Sequence, residues 1–336
     1  MTDISTDLLP YVELSRSLLQ GGKRFRALFC YWGWRAVADS REDLSSVVDA
    51  ASALELFHAA ALVHDDIIDN SDTRRGLPAA HRQFEGLHAE NGWRGDPAEF
   101  GRSGALLLGD LLLGWSDELL DHGLRALGDP GRAESARREF NRMRTEVTYG
   151  QYLDVLEERS WHTRAETELL PRAHRVIVYK SAKYSVEAPL AIGAAMGGAS
   201  IGQLSALSDF GLPLGVAYQL RDDLLGVFGD PELTGKPSGD DLREGKRTVL
   251  VSIARTRMPG NAARLLDELL GDQDLSNQQV SMLQASIDQS GAVDQVERII
   301  AHNADKARSA LDTAPIDADA RAELSTLIDA VSTRNA

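Results

Sequence analysis

Three aspartates at the end of a long apolar run are the residues whose spacing most directly suggests chemistry. Asp65, Asp66 and Asp69 lie in the segment HDDIIDNSDTRRG. On a helix, Asp65 and Asp69 are one turn apart and face the same way, so their charges repel each other. Mg²⁺ removes that repulsion, because it binds carboxylates and usually shares them with substrate phosphates. Since Arg74 and Arg75 follow and suit phosphate binding, the segment predicts a Mg²⁺–diphosphate site. The alternative is a solvated acidic helix end before a basic turn.

A second pair of aspartates, Asp222 and Asp223, closes another apolar helical stretch. The loop after it is rich in glycine and proline and carries these charged residues: Lys236, Asp240, Asp241, Lys246 and Arg247. Two acidic helix ends with basic loops can bind one polyanion through bridging metal ions. The second stretch therefore strengthens the prediction of a metal–diphosphate site.

The two aspartate-rich stretches and their basic loops resemble those of the trans-isoprenyl diphosphate synthase family, also called polyprenyl synthetases. The resemblance covers nearly the whole chain, from GGKRFR at 21–26 to GKRT at 245–248. It implies an all-α fold, as a single large helical bundle over residues 1–336 with a central active-site cavity. It also implies head-to-tail transfer of a prenyl group to isopentenyl diphosphate from an allylic diphosphate, whether dimethylallyl, geranyl or farnesyl.

The resemblance implies a metal role for several aspartates. Asp65, Asp69 and Asp222 are expected to hold Mg²⁺, three ions in all, with Asp66, Asp223 and Asp240 in support. One position departs from the family pattern DDxxD, because the third acid of the second motif is replaced by Gly226. If the lost carboxylate acts mainly through water, metal binding is expected to weaken rather than fail.

The resemblance also implies two diphosphate sites. Isopentenyl diphosphate is expected to bind Lys23, Arg26, His58 and Arg75. The allylic diphosphate is expected to bind Arg74, Lys180 and Lys236, with Lys246 as a further substrate-binding residue. Lys180, Ser181 and Gln219 are expected to stabilise the allylic cation, and Ser181 keeps the hydroxyl of the family's threonine. The alternatives are a surface basic run, a core histidine and a snorkelling lysine.

Product length is expected to depend on the helix that precedes Asp65. In the family, the fourth and fifth residues before the first aspartate control length, and here both are small: Ala61 and Ala60. At 1.5 Å per residue, Leu54 lies roughly 16 Å from Asp65, which leaves room for a tail longer than farnesyl. Phe57 and Trp115 are the bulky candidates to close the pocket, unless they are ordinary core residues. Geranylgeranyl diphosphate is the expected product, with a longer polyprenyl or farnesyl diphosphate as alternatives.

Three other functions fit the sequence less well than prenyl transfer. A class I terpene cyclase uses the same ionisation but usually lacks basic residues for a second diphosphate. A metal phosphohydrolase could use His64 and Asp65, but it needs further histidines, and the eight of this chain are scattered. A non-catalytic partner subunit should have lost its first aspartates, which are present here.

Composition limits the classes of partner and location. The formal charge of −15 disfavours non-specific nucleic-acid binding and adhesion to anionic membranes. The single cysteine, Cys30, allows no disulfide within the chain and fits a reducing cytoplasm. Residues 190–207 carry no charge, but they are rich in small residues, so a buried helix is expected rather than a membrane span. This stretch and a second apolar helix, 103–121, also favour a homodimer.

The predicted elements are helical throughout, without a linker that would divide the chain. Helices are expected over 5–20, from Lys23 through Trp34, and over 45–69, 103–121 and 133–158, with another starting near Pro171. Residues 76–100 are expected to form a polar loop. Asp110, alone in an apolar helix, is expected to be buried and hydrogen-bonded to a neighbouring helix.

Overall fold

The structure is a computed structural model that describes residues 4–39, 41–231 and 237–332. Its regular structure is almost entirely helical, which confirms the predicted all-α class. Within the described residues, the strands are Thr73–Arg74 and Leu77–Pro78, which pair antiparallel. Backbone contacts group the chain into two compact units. A single domain over the whole chain and a central cavity stay predictions.

The first unit comprises the residues up to Leu28 together with residues 43–128. Its helices are α1 (Leu9–Leu18), the first turn of α2 (Phe25–Arg35), α3 (Ser45–Ile68), α4 (Ala80–Glu90) and α5 (Pro97–Ala126). Both α3 and α4 pack along α5. Gly123 lets α5 approach α3 closely, because a Cβ there would lie 2.8 Å from the carbonyl oxygen of Ser46. Packing against α5 thus fixes α3, the helix that carries the first aspartates.

The second unit comprises residues 29–42 and the chain from Asp129 onward. After the rest of α2, its elements are α6 (Pro130–Ser160), α7 (Glu166–Val176), a π-helical segment (Ile177–Glu187), α8 (Ala188–Met196), α9 (Ile201–Phe228), α10 (Asp240–Glu244), α11 (Val249–Arg257), α12 (Gly260–Leu269), α13 (Asn277–Gln289), α14 (Ala292–Thr313) and α15 (Ala318–Ser332). A capping box of Ser200 and Gln203 starts α9. The π segment packs between α6 and α9, because it contacts both.

The prediction of a polar loop over residues 76–100 is wrong. Helix α4 occupies the middle of this stretch, and α5 begins at Pro97. His81, Phe84 and His88 are buried and lie three and four residues apart, which is helical spacing. The flanking glycines and prolines indicated a loop, although this amphipathic pattern lay between them.

Two predicted helix boundaries are also wrong. Pro171 lies inside α7 instead of starting it, since the helix begins at Glu166. The uncharged stretch 190–207 is not one helix, because α8 ends at Met196 and α9 starts at Ile201. The part in α8 is buried throughout, in agreement with the expected burial.

Among the described helices, α3 is long and apolar enough to cross a membrane by length and composition alone. Its most apolar window is 50% buried inside the structure, and α3 packs along α5. A core helix of a folded protein has the same composition, so this finding is weak support for a membrane span.

The predicted burial of Asp110 on α5 is wrong. Its side chain is 64% exposed, and its Oδ1 lies 3.6 Å from Nε2 of His64 on α3. The helical periodicity of α5 places Asp110 on the outer face, next to exposed Leu106 and Leu107.

Candidate active site

The first acidic cluster, Asp65, Asp66 and Asp69, lies where α3 ends. Asp66 is buried and accepts a hydrogen bond of 2.9 Å from Nε of Arg74, and Nη2 of Arg74 also donates to it. The same Nη2 lies 3.7 Å from Oδ2 of Asp65. Asp66 therefore orients Arg74 beside Asp65, which fits its expected supporting role better than direct metal binding.

One stripe of α3 is partly exposed although most of the helix is buried. It runs through Glu55, His58, Leu62, Asp65 and Asp69, at spacings of three and four residues. A ligand approaching this stripe would meet the acidic cluster at one end and His58 two turns away. The predicted metal and substrate residues of α3 thus share one accessible face.

Four arginines lie near enough to His58 to act on its charge, and they form a basic cluster in the first unit: Arg24, Arg26, Arg74 and Arg75. Burial lowers the pKa of His58 well below its ordinary value, and the charges of these arginines lower it further. His58 is therefore neutral near pH 7 and offers hydrogen bonds without a charge of its own. Burial and the neighbouring arginines also lower the pKa of Arg75. Like charges held this close are suited to binding a polyanion.

The segment before α2 is anchored to α3 by Glu55. Nη1 of Arg24 donates to Oε2 of Glu55 at 2.9 Å, and the backbone N–H of Ala27 donates to Oε1 at 3.3 Å. Because α2 begins at Phe25 and Arg24 has a left-handed φ of 53°, Lys23 lies in the turn before the helix. The predicted start of this helix at Lys23 is therefore wrong, since the helix begins two residues later.

Arg75 contacts the same segment from the loop after α3. Its Nη1 donates to the carbonyl oxygen of Gln20 at 2.9 Å. A Cβ on Gly22, whose φ is 81°, would come 3.0 Å from Nη2 of Arg75. The structure thus brings together the predicted residues Arg26, His58 and Arg75. It adds Arg24 and Glu55, which the sequence reasoning missed although Glu55 lies one turn before His58.

The second acidic cluster, Asp222 and Asp223, lies on α9 in the second unit. Asp222 is exposed, whereas Asp223 is buried. Nε2 of Gln219 donates to Oδ1 of Asp223 at 2.8 Å, and Oδ2 has no hydrogen-bond partner among the described residues. Burial raises the pKa of Asp223 to about 7, and the charges of Asp222 and Asp154 act in the same direction. An orphaned, buried carboxylate oxygen of this kind fits a site for a cation.

Two lysines of the second unit share carboxylates of α6. Nζ of Lys180 lies 2.5 Å from Oδ2 of Asp154, and Nζ of Lys246 lies 3.4 Å from the same atom. Lys246 also donates to Oε1 of Glu158 at 3.0 Å. Lys180 belongs to the π segment, a rare geometry that is frequent at functional sites. Neither Asp154 nor Glu158 was assigned a role from the sequence, although they lie four residues apart on one face of α6.

Gly150 allows close contact between α6 and the π segment. A Cβ on Gly150 of α6 would lie 2.6 Å from Cα of Lys180. The π segment can therefore lie directly against α6, which brings Lys180 within reach of Asp154. Ser181 follows on the π segment and is partly exposed.

The remaining predicted residues occupy varied positions. Lys236 lies outside the described residues, and Asp240 opens α10 and is partly exposed. Gln219, expected to face the allylic cation, is hydrogen-bonded to Asp223. Its role in stabilising a cation stays a prediction.

The expected length-controlling residues differ in burial. Ala60 is fully buried in an apolar cluster with Leu108 and Leu112 of α5, and Trp115 packs against that cluster. Leu54 and Phe57 are buried, whereas Ala61 is partly exposed. Of the two alanines, Ala61 is therefore the one that a ligand could contact without entering this cluster.

The donor set fits Mg²⁺ only if the substrate supplies further ligands. Among the described residues, no group of three or more histidine, cysteine, aspartate or glutamate side chains is arranged to hold a metal. Mg²⁺ usually takes one or two protein carboxylates together with water and phosphate oxygens. Asp65 with Asp69, and Asp222 beside the orphaned oxygen of Asp223, match that requirement.

Comparison with known proteins supports the resemblance. The family model described as polyprenyl synthetase matches residues 11–287. A geranylgeranyl diphosphate synthase of Methanosarcina mazei is 35% identical, over 71% of this chain and 65% of its own. A farnesyl diphosphate synthase of Geobacillus stearothermophilus is 33% identical, over 72% of this chain and 74% of its own.

A solved structure is similar over most of both chains. It is a geranylgeranyl pyrophosphate synthase from Corynebacterium glutamicum, complexed with isoprenyl diphosphate and magnesium. Its TM-score is 0.92 at 40% identity, and the match covers 99% of this chain and 92% of that one. With the family model matching most of the sequence, the chain belongs to the polyprenyl synthetase family and is a prenyltransferase.

Proposed function

We propose that the chain condenses isopentenyl diphosphate head-to-tail with an allylic diphosphate in a Mg²⁺-dependent reaction, and that geranylgeranyl diphosphate is its main product. One observation carries the proposal. The basic cluster around neutral His58 would provide an anion site in addition to the two acidic clusters. A reaction with two diphosphate substrates needs such a second site. We also propose that the protein acts in the cytoplasm, as its single, buried cysteine favours.

The proposed metal ligands are Asp65, Asp69 and Asp222, with three ions as the predicted number. Bound Mg²⁺ would neutralise the charge that develops on the leaving pyrophosphate. Asp66 keeps Arg74 oriented beside Asp65, and Asp154 keeps Lys180 and Lys246 in place. The positively charged side chains of Arg74, Lys180 and Lys246 would bind the allylic diphosphate and favour breakage of its C–O bond.

The remaining residues would position the second substrate and guide the new bond. His58 and the arginines around it would hold isopentenyl diphosphate, whose double bond attacks the allylic cation to form the C–C bond. Ser181 and the backbone carbonyl of Lys180 would stabilise that cation by their dipoles. The proton released on forming the product double bond would pass to the departing pyrophosphate. No side-chain nucleophile is needed.

The alternatives fit the geometry less well. A terpene cyclase needs one diphosphate site and gives no reason for the basic cluster. A phosphohydrolase that uses His64 and Asp65 is disfavoured, because Nε2 of His64 lies 3.4 Å from the carbonyl oxygen of Leu106 and 3.6 Å from Asp110. A non-catalytic subunit gives no reason to keep the acidic cluster. For product length, farnesyl or a longer polyprenyl diphosphate is the runner-up.

The proposal is tested by incubating the protein with isopentenyl and farnesyl diphosphates and separating the dephosphorylated products by chromatography. The expected result is geranylgeraniol, lost on chelation with EDTA and restored by excess Mg²⁺. Activity that persists without divalent metal would refute the metal requirement. Release of a cyclic hydrocarbon without consumption of isopentenyl diphosphate would favour the cyclase.

Replacing Glu55 with glutamine is expected to raise KM for isopentenyl diphosphate about tenfold. Glu55 holds Arg24 and the start of α2, and a hydrogen bond to a charged group contributes about 1.5 kcal/mol or more. KM for the allylic substrate should stay within about twofold. Initial rates with each substrate varied in turn provide the measurement. Glu85→Gln, which breaks the Arg82 pair on α4, is the matched control and should change neither KM. An equal rise in both constants would contradict this role.

Replacing Leu107 with glutamate is expected to convert a homodimer into monomers. Leu106 and Leu107 are adjacent exposed apolar residues on α5, which supports a partner surface there. A symmetric dimer would bury the new charge twice, so its dissociation constant should rise at least about a hundredfold. Light scattering at micromolar concentration measures the change. Ile201→Glu, at an isolated exposed position, should leave the mass unchanged. A monomeric wild type would rule out the dimer.

A further inference from the structure

A carboxylate from another helix lies at position 226, where the second motif lacks its third acid. A Cβ built on Gly226 would lie 2.7 Å from Oδ1 of Asp241, and Oδ2 and Cγ of Asp241 are closer still. In an aspartate, the carboxyl carbon is one bond of about 1.5 Å from Cβ. The carboxylate of Asp241 therefore lies in the volume that an aspartate side chain at position 226 would fill.

The volume beside Gly226 lies on the same face of α9 as the first aspartate of the motif. Gly226 is four residues after Asp222, so it lies one turn further along the same face. That is the position at which the family motif DDxxD places its last carboxylate. On the same helix, the buried Oδ2 of Asp223 has no hydrogen-bond partner among the described residues, which independently points to a cation site.

Packing holds Asp241 at this position. The short helix α10 is bounded by Gly239 and Gly245, which have φ of 73° and 84°. The carbonyl oxygen of Asp241 accepts hydrogen bonds from the N–H groups of Gly245 and Lys246 at 3.1 and 3.0 Å. The next residue, Leu242, is fully buried. The loop that brings Lys246 to Asp154 therefore also fixes the carboxylate of Asp241 beside α9.

We propose that Asp241 supplies the third carboxylate of the second acidic motif, in place of the side chain that is missing at Gly226, and that it serves Mg²⁺ binding. This inference rests on the proposed Mg²⁺-dependent function. It replaces the expectation that metal binding is simply weakened at this position. It also explains why position 226 needs a glycine, because a side chain at 226 and the carboxylate of Asp241 cannot occupy the same space.

The test measures Mg²⁺ binding in the presence of inorganic pyrophosphate by isothermal titration calorimetry, without turnover. Asp241→Ala is expected to raise the apparent Kd for Mg²⁺ about tenfold, the lower range for loss of a supporting carboxylate. Gly226→Asp should raise it at least as much, since two carboxylates then compete for one volume. The double variant Gly226→Asp/Asp241→Ala moves the acid onto α9 and should return Kd to within about threefold of wild type. Asp209→Ala removes an exposed carboxylate from α9 and is the matched control.

The outcomes separate this inference from the proposed function. An unchanged Kd in Asp241→Ala, or a double variant no better than either single variant, would overturn the inference while Mg²⁺-dependent binding by wild type stands. Absence of Mg²⁺-dependent pyrophosphate binding by wild type would overturn both. Circular dichroism checks the fold, and Asp241→Asn repeats the test with an isosteric side chain if the alanine variant does not fold. Rescue by the double variant cannot arise from a general loss of structure.

Discussion

Replacing Asp65 with alanine is expected to lower the turnover of prenyl transfer about a thousandfold, because metal stabilisation of a leaving group is worth several kcal/mol. Asp65 lies on the partly exposed stripe of α3, beside Arg74. The substitution removes a proposed metal ligand and leaves the buried pair of Asp66 and Arg74 in place. The helical circular dichroism should therefore not change. Single-turnover kinetics at saturating substrate measure the effect directly.

Asp72→Ala is the matched control for this experiment. Asp72 lies in the loop after α3 and pairs with Arg82, and its side chain is 73% exposed. Its loss removes the same charge a few residues from the acidic cluster, so turnover should stay within about twofold. Normal turnover in Asp65→Ala, or an equal loss in Asp72→Ala, would refute the assignment of Asp65 as a metal ligand.

Replacing Ala61 with phenylalanine is expected to shorten the main product to farnesyl diphosphate and to lower the geranylgeranyl fraction at least about tenfold. Ala61 is partly exposed one turn before Asp65, so an aromatic ring there would project into the path of a growing tail. A steric block of this kind costs well over 1.4 kcal/mol for the longer product, which is a factor of ten in rate. Chromatography of the dephosphorylated products measures the ratio.

Two comparisons distinguish a shortened pocket from a damaged fold. Val48→Phe adds the same ring to an exposed position of α3 and should leave product length unchanged. Ala60→Phe places it in the buried cluster with Leu108 and Leu112, where overpacking is expected to cost about 1–3 kcal/mol of stability. If Ala61→Phe gives the wild-type products, the tail does not follow this face of α3.

The sequence allowed prediction of features that depend on local spacing. Asp65, Asp69 and His58 could be placed on one face of a helix because each interval is close to a whole number of turns. The all-α class followed from the family motifs and from apolar periodicity over long stretches. Helix α4 was missed, because only four buried residues mark its inner face and glycines lie before, within and after it.

Contacts between distant segments could not be predicted in the same way. The pair of Arg24 and Glu55 joins residues 31 positions apart, and Asp154 contacts Lys246 across 92 positions. No local pattern specifies such pairs, because they depend on how helices pack. Gly226 was interpreted as a loss for the same reason, since nothing in the sequence places Asp241 beside it.

The crowding of positive charge around His58 has a consequence for handling the protein. Four arginines near one partly buried site repel each other, although Glu55 pairs with Arg24 and Asp66 pairs with Arg74. Any small oxyanion that binds there relieves this repulsion and stabilises the folded chain by mass action. Phosphate or sulfate buffers should therefore raise its melting temperature while competing with isopentenyl diphosphate. The buffers that stabilise the folded protein most would therefore be those that inhibit its activity most.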